Sequence, residues 1–261
     1  ISALLDTQRL LLPSLDSLVK VIDKKALSLK GQIKTGRTHL MDAMPIDFAQ
    51  ELSGWSAQLA TAQKSIISSS REIAQLPQGG TAIGTGINAH KNFGKVFAAE
   101  VKKIAKLDVK TSSNYFKSLS AQDSAAQLSA SVKNLSLVLT KISNDLRWMN
   151  SGPLTGLGEI ELEALQPGSS IMPGKVNPVI PEAVNQTAFQ VIGNDLVISL
   201  AAEAGQMQLN AFEPVLAVNI LRSLRYMTNA MVMLRTKCVD GITANVEICA
   251  KYVEQSPGIA T

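Results

Sequence analysis

The densest chemistry in the chain lies in one segment, Gly168-Ser169-Ser170-Ile171-Met172-Pro173-Gly174-Lys175-Val176-Asn177. Two glycines and a proline give it a specially turned backbone. Within it, serine supplies a base or nucleophile, lysine a fixed cation and asparagine a neutral hydrogen-bonding group. That set suits a carboxylate substrate, whose charge lysine pairs and whose orientation asparagine fixes. It also suits an oxyanion that forms during reaction. By residue types alone, a serine- and glycine-rich surface loop is the plain alternative.

Three further places carry candidate chemistry. His39 stands in Gly36-Arg37-Thr38-His39-Leu40-Met41-Asp42-Ala43 and is one of the chain's two histidines. An imidazole there could activate water or polarise a carboxylate, although a lone histidine is more often structural. Gly79-Gly80-Thr81-Ala82-Ile83-Gly84-Thr85-Gly86-Ile87-Asn88 has enough glycine for a phosphate nest. It has no Gly-Lys-Ser/Thr and follows no strand, so tight packing between helices is the favoured reading. Glu182, just after Pro181, opens a helix where the dipole favours a carboxylate. That is a capping role, which becomes a relay only if Glu182 pairs with a histidine. The second histidine, His90, reads as a surface-loop residue.

Long helices must position these loops. Apolar residues recur in steps of three and four at Leu11, Leu15, Leu18, Ile22, Leu29 and Ile33. They do so again at Phe48, Leu52, Trp55, Leu59, Ala62, Ile66, Ile73 and Leu76, and at Leu128, Val132, Leu135, Leu139, Ile142, Leu146 and Met149. Each set forms one narrow helical seam, as in a bundle. Pro13 is expected to kink the first helix or mark its start. Pro181–Gln208 is apolar on nearly every side, interrupted by Asn185, Asn194, Asp195 and Glu203, which need partners if buried. Such a helix suits a subunit interface. A further helix follows Pro214, from about Val215 to Cys238. The segments 34–46, 77–92, 150–178 and 240–244 read as irregular, and Val109–Tyr115 is the one weak strand candidate.

Composition excludes several classes. The 261 residues are 46% hydrophobic and 18% charged, which places the chain among globular proteins. A net charge of +4 with only 4% aromatic residues argues against nucleic acid. No run of about 18 apolar residues is present to span a membrane. Cys238 and Cys249 are too few for a disulfide scaffold and suggest a reducing compartment. They and the two histidines are not in ligand spacing, so no metal site is expected. The start at Ile1 lacks signal-peptide features and reads as a chain entered mid-helix, a fragment or processed product.

Gly168–Asn177 resembles the signature GSSxMPxKxN of the fumarase/aspartase superfamily at all seven specified positions. The segments at Gly36–His39 and Gly79–Asn88 resemble two more motifs of that family, in the same order. The resemblance runs over essentially the whole chain. It implies an all-α fold in which long helices are pooled in a tetramer core, with 1–261 forming the central helical-bundle domain. The family's N-terminal Ser-Ser-Asn-Asp segment and small C-terminal domain are not in this sequence, so the isolated chain is expected to be inactive.

The resemblance also implies a lyase that adds water or an amine to a dicarboxylate double bond without an organic cofactor. Ser169 would be the base, His39 and Glu182 its catalytic partners, and Thr38, Ser170, Lys175 and Asn177 the substrate-binding set. Sites would be shared between subunits of a homotetramer in the cytoplasm, or in the mitochondrial matrix of a eukaryote. Residues 36–59 and 144–157 resemble class II fumarases. Asn185-Gln186, 202–210 and Glu213-Pro214 resemble aspartate ammonia-lyases. Fumarate hydration to L-malate is set first, aspartate deamination second. A non-catalytic helical assembly protein is the competing class, and the intact signature residues weigh against it.

Overall fold

Leucine and isoleucine seams build the frame. The computed structural model describes residues 1–256 except Pro167, Ser170 and Pro173. The chain starts with α1 (Ser2–Asp6), a π turn (Thr7–Leu11) and α2 (Leu12–Ser28). A hairpin follows, β1 (Ile33–Thr38) and β2 (Met41–Asp47), then α3 (Phe48–Ile73) and β3 (Gln75–Leu76). Next come α4 (Phe93–Ala105), β4 (Lys110–Thr111), α5 (Tyr115–Ser120) and α6 (Asp123–Met149). β5 (Ile160–Glu161), α7 (Val179–Glu203), α8 (Glu213–Leu234), a π turn (Arg235–Val239), β6 (Thr243–Ala244) and α9 (Val246–Gln255) complete the order. The framework is all-α, and among the described residues the strands pair two by two.

The described residues fall into two compact units, and α3, α6, α7 and α8 each supply residues to both. The first unit holds Ile1–Pro13, Ala62–Ser136 and Thr187–Thr228. In it, Leu4, Ala74, Leu76, Ala98, Leu107 and Val109 form one buried cluster beside the parallel β3–β4 pairing. Two of the polar interruptions of α7, Asn194 and Asp195, find partners there. Asp195 accepts from Ser129 Oγ at 2.7 Å and pairs with Lys133 Nζ at 2.6 Å, and Asn194 donates to Ser223 Oγ at 3.0 Å. Glu203 is exposed.

The second unit holds Ser14–Thr61, Leu137–Gln186 and the chain from Asn229 onward. Leu15, Leu18 and Ile22 of α2 are fully buried, as are Leu59 of α3 and Leu139, Ile142 and Leu146 of α6. Trp55 is also buried, and its Nε1 donates to Asp145 Oδ2 at 3.1 Å.

The structure departs from the sequence reading at several points. Residues 34–46 are not irregular: they form the antiparallel β1–β2 hairpin. The alternating pattern is missing because the register shifts between Thr35 and Arg37, and Lys34, Thr35 and Gly36 are buried in succession. Ile33 therefore belongs to β1 and is exposed, rather than continuing the α2 seam. Leu76 belongs to β3, and the Val109–Tyr115 candidate shrinks to the two residues of β4. Pro13 lies in the first turn of α2, which starts at Leu12 directly after the π turn that follows α1. The π turn ends two residues before the proline, widening the helix beside a ring that would crowd the carbonyl four residues back.

Candidate functional site

The sequence-derived candidates lie in the second unit, on the β1–β2 turn, the loop before α7 and the first turn of α7. The hairpin hangs on its base. Asp47 Oδ1 accepts from Ala49 N at 2.6 Å, while Gln50 Oε1 accepts from Asp47 N at 2.9 Å. This reciprocal box starts α3. Asp47 Oδ2 also accepts from Gly31 N at 2.6 Å, tying the two ends of the hairpin together. At its other end the chain reverses through His39 and Leu40, both left-handed with φ of 56° and 61°. Glycine or asparagine usually fills such a turn. Thr38, His39 and Leu40 are exposed there.

The loop before α7 is closed by backbone contact. Gly168 lies so near the Lys175 carbonyl that a Cβ would collide with it, so only glycine fits. Gly174 has φ of 81°, a second position that favours glycine. Inside the loop, Ser169 Oγ accepts from Ile171 N at 3.3 Å and Lys175 N donates to Met172 O at 3.2 Å. Ser169 is half-buried and the Lys175 side chain is exposed. Asn177 O accepts from Val179 N at 2.9 Å as the loop enters α7. Asn177 also lines a cavity of about 20 Å³ with Asn150, Leu162 and Val179, room for roughly one water. Ser170, expected in the substrate-binding set, lies outside the described residues.

Glu182 occupies the first turn of α7, as expected, one residue after Pro181. Its carboxylate faces Arg147 Nη2 at 3.7 Å. Among the described residues, no hydrogen bond or ion pair joins His39 to Glu182 or to the Ser169 loop. One chain therefore brings Ser169, Lys175, Asn177 and Glu182 into consecutive turns and leaves His39 on a separate projection.

A buried ionic cluster lies behind that projection, and the sequence reading did not single it out. Glu159 is wholly buried, and its Oε1 accepts from Arg37 Nη1 at 2.6 Å. Lys34 Nζ lies 2.8 Å from Glu159 Oε2, off the hydrogen-bond direction, so charge rather than a directed bond holds that pair. The ammonium's directed bond goes to Glu51 Oε2 at 2.9 Å. Lys34 also lies over the Phe48 ring and Arg37 over the Tyr252 ring. The backbone of Glu159 is fixed as well: its N–H donates to Met149 O at 2.8 Å, and its carbonyl accepts from Asn245 N at 2.9 Å. The usable signal was Arg37 next to the Thr38-His39 pair.

The glycine-rich segment, in the first unit, follows the packing reading. A Cβ at Gly80 would lie 2.8 Å from Tyr115 Cβ, and one at Gly84 would lie 2.6 Å from the Phe116 ring. The glycines let the loop close on α5. A cavity of about 470 Å³ opens beside Gln78, Thr81, Asn88 and His90, and one of about 440 Å³ lies beside Gln78, Ser112 and Asn114. Neither includes a residue of the signature loop or of the hairpin turn.

The helical fold is shared with known proteins. A family model described as "Lyase" matches residues 1–193, and the chain belongs to that lyase family, in the fumarase/aspartase superfamily. It is 47% identical over 261 residues to a class II fumarate hydratase of Xylella fastidiosa, covering 100% of this chain and 55% of that protein. It is 46% identical over 252 residues to an aspartate ammonia-lyase of Pseudomonas aeruginosa, covering 96% of this chain and 53% of that protein. A crystal structure of a class II fumarase from Schistosoma mansoni superposes with a TM-score of 0.94 at 36% identity, covering 98% of this chain and 57% of that one. The chain spans about half the length of the curated relatives it matches.

Proposed function

We propose that this chain is the central helical-bundle domain of a class II fumarate hydratase, which reversibly hydrates fumarate to L-malate. The observation that carries the reading is the intact Gly168–Asn177 signature in a chain 47% identical to such an enzyme. In the dehydration direction, Ser169 Oγ takes the proton from the carbon next to a carboxylate. The electron pair moves into that carboxylate, giving a doubly charged aci-carboxylate. Lys175 supplies charge and Asn177 a hydrogen bond to hold it. The pair then returns to form the double bond as the C–O bond on the adjacent carbon breaks, and the departing hydroxide takes a proton from the protonated imidazole of His39 and leaves as water. A serine is a weak base unless its alkoxide is stabilised, which the Lys175 cation and loop amides can do.

The catalytic partners come together between subunits in this reading. His39 on its exposed turn reaches the Ser169 loop of a neighbouring chain in a homotetramer, where Thr38 and Ser170 join the substrate contacts. Glu182 is the acidic partner of the histidine, and its Arg147 contact is exchanged on assembly. In this reading the enzyme works in the cytoplasm, or in the mitochondrial matrix of a eukaryote. Among the described residues, no helix is long and apolar enough to cross a membrane.

Aspartate ammonia-lyase is the second reading, favoured by the 46% identity to the enzyme of that name. The test uses the full-length protein, with fumarate followed by its ultraviolet absorbance after adding L-malate or L-aspartate. Fumarate from malate alone supports the hydratase, and fumarate from aspartate alone replaces it with the ammonia-lyase. Ser169→Ala should abolish turnover while the oligomer persists. A Ser169→Ala protein as active as wild type would remove Ser169 from the mechanism, and a folded wild type active on neither substrate would sink both readings.

A further inference from the structure

We propose that Glu159 is a positioning residue for the His39 turn, acting through Arg37 and Lys34. Its catalytic consequence rests on the proposed role of His39.

The turn has a conformation its own residues do not favour. His39 and Leu40 both lie in the left-handed region, where a non-glycine residue is strained, so surrounding structure must hold them there. Thr38, His39 and Leu40 are exposed and offer no packing to do so. The restraint must come from the strand leading into the turn. Arg37 is the last partly buried residue of that strand, and one guanidinium nitrogen makes two bonds. Nη1 donates to Thr35 O at 3.2 Å and to Glu159 Oε1 at 2.6 Å. Three residues earlier, Lys34 is clamped between Glu159 and Glu51. The register shift between Thr35 and Arg37 lies between these anchors, which fix β1 opposite the extra residue of β2.

Glu159 is itself immobile. Its side chain is fully buried, and its backbone is bonded to the end of α6 and to the residue preceding α9. It thus links the hairpin, at Arg37 two residues before His39, to the helical frame. The cluster is balanced, with Lys34 and Arg37 against Glu51 and Glu159. Losing the Glu159 charge leaves a buried cation without its partner, and the cation's easiest escape is outward, with the strand.

The experiment uses the full-length protein with Glu159→Gln, His39→Asn and the double variant. In Glu159→Gln the amides of residues 33–47 should exchange hydrogen at least tenfold faster, with the α6 core amides unchanged. kcat should fall about tenfold, as expected for sub-ångström misplacement of a reacting group, with KM within about twofold. The decisive readout is coupling. If Glu159 acts through His39, its substitution should cost almost nothing further in the His39→Asn background. Equal losses in both backgrounds, or an unchanged kcat, would overturn the proposal. Should Glu159→Gln not fold, Arg37→Gln removes the same bond from the less buried side and must give the same pattern. A wild type with no turnover would defeat the functional reading but not this one, which then stands or falls on the exchange of residues 33–47.

Discussion

Cys238 and Cys249 are buried free thiols whose environments make an immediate prediction. Burial pushes the Cys238 thiol up to about 12. Burial, then the nearby Glu159 charge, pushes Cys249 to about 11, against the smaller opposite pull of Lys34 and Arg37. The thiolate is the nucleophile, so at pH 8 iodoacetamide should leave both unlabelled in the native protein and label both once it is unfolded, as peptide mapping would read. Both folded values lie above the ordinary value of 9.0, so the contribution to stability is complete below about pH 9. It is lost as pH rises toward 11 and 12, and the melting temperature should fall over that range. Rapid native labelling at pH 8 would contradict the burial. At this same scale, the signature loop was readable because Ser169, Lys175 and Asn177 are neighbours in sequence. The Glu159–Arg37 bond was not, because its partners are 122 residues apart and neither has a local pattern that points to the other.

The seam helices are the most legible elements. Every seam position from Leu128 to Met149 is buried in α6, since a three- and four-residue step has one geometric solution on a helix. Leu139, wholly buried, is a direct probe of that packing. Leu139→Ala should lower unfolding stability by about 2–5 kcal/mol, through lost transfer energy and the cavity left behind, as measured by urea denaturation. A loss under about 1 kcal/mol would mean the site collapses freely. The hairpin was illegible for the opposite reason. Its β1 strand buries three consecutive residues around a register shift, and β2 leaves Met41 and Met44 exposed. Short-range pattern cannot report a strand whose stability comes from ions and a capping box. α4, α5 and α9 were not singled out either. They are short, and α5 buries no residue of its own.

At the scale of the whole molecule, α7 carries the remaining argument. Its inward positions, Val184, Ala188, Val191 and Ile198, are buried within the chain. Phe189, Ile192, Leu196 and Leu200 follow one another at steps of three and four along a second face, with exposures of 61%, 36%, 61% and 57%. A contiguous apolar stripe of this kind marks an interaction surface, and fully burying each such side chain is worth about 1.5–3 kcal/mol. The proposed tetramer would bury this stripe against α7 of neighbouring chains, as the all-round apolar pattern of Pro181–Gln208 suggests. Leu196→Glu in the full-length protein should then force a carboxylate into that core, where an unpaired charge is not tolerated. Sedimentation velocity should show the assembly dissociating, while circular dichroism shows the helices retained. Leu196→Met, which conserves volume and polarity, should leave it assembled. Because the site is proposed to draw His39 from a neighbouring chain, turnover should disappear with the assembly and not merely weaken. A Leu196→Glu protein that stays tetrameric would move the interface off this face of α7. One that dissociates yet keeps its turnover would place the whole site in one chain, and the exposed His39 turn would need another role.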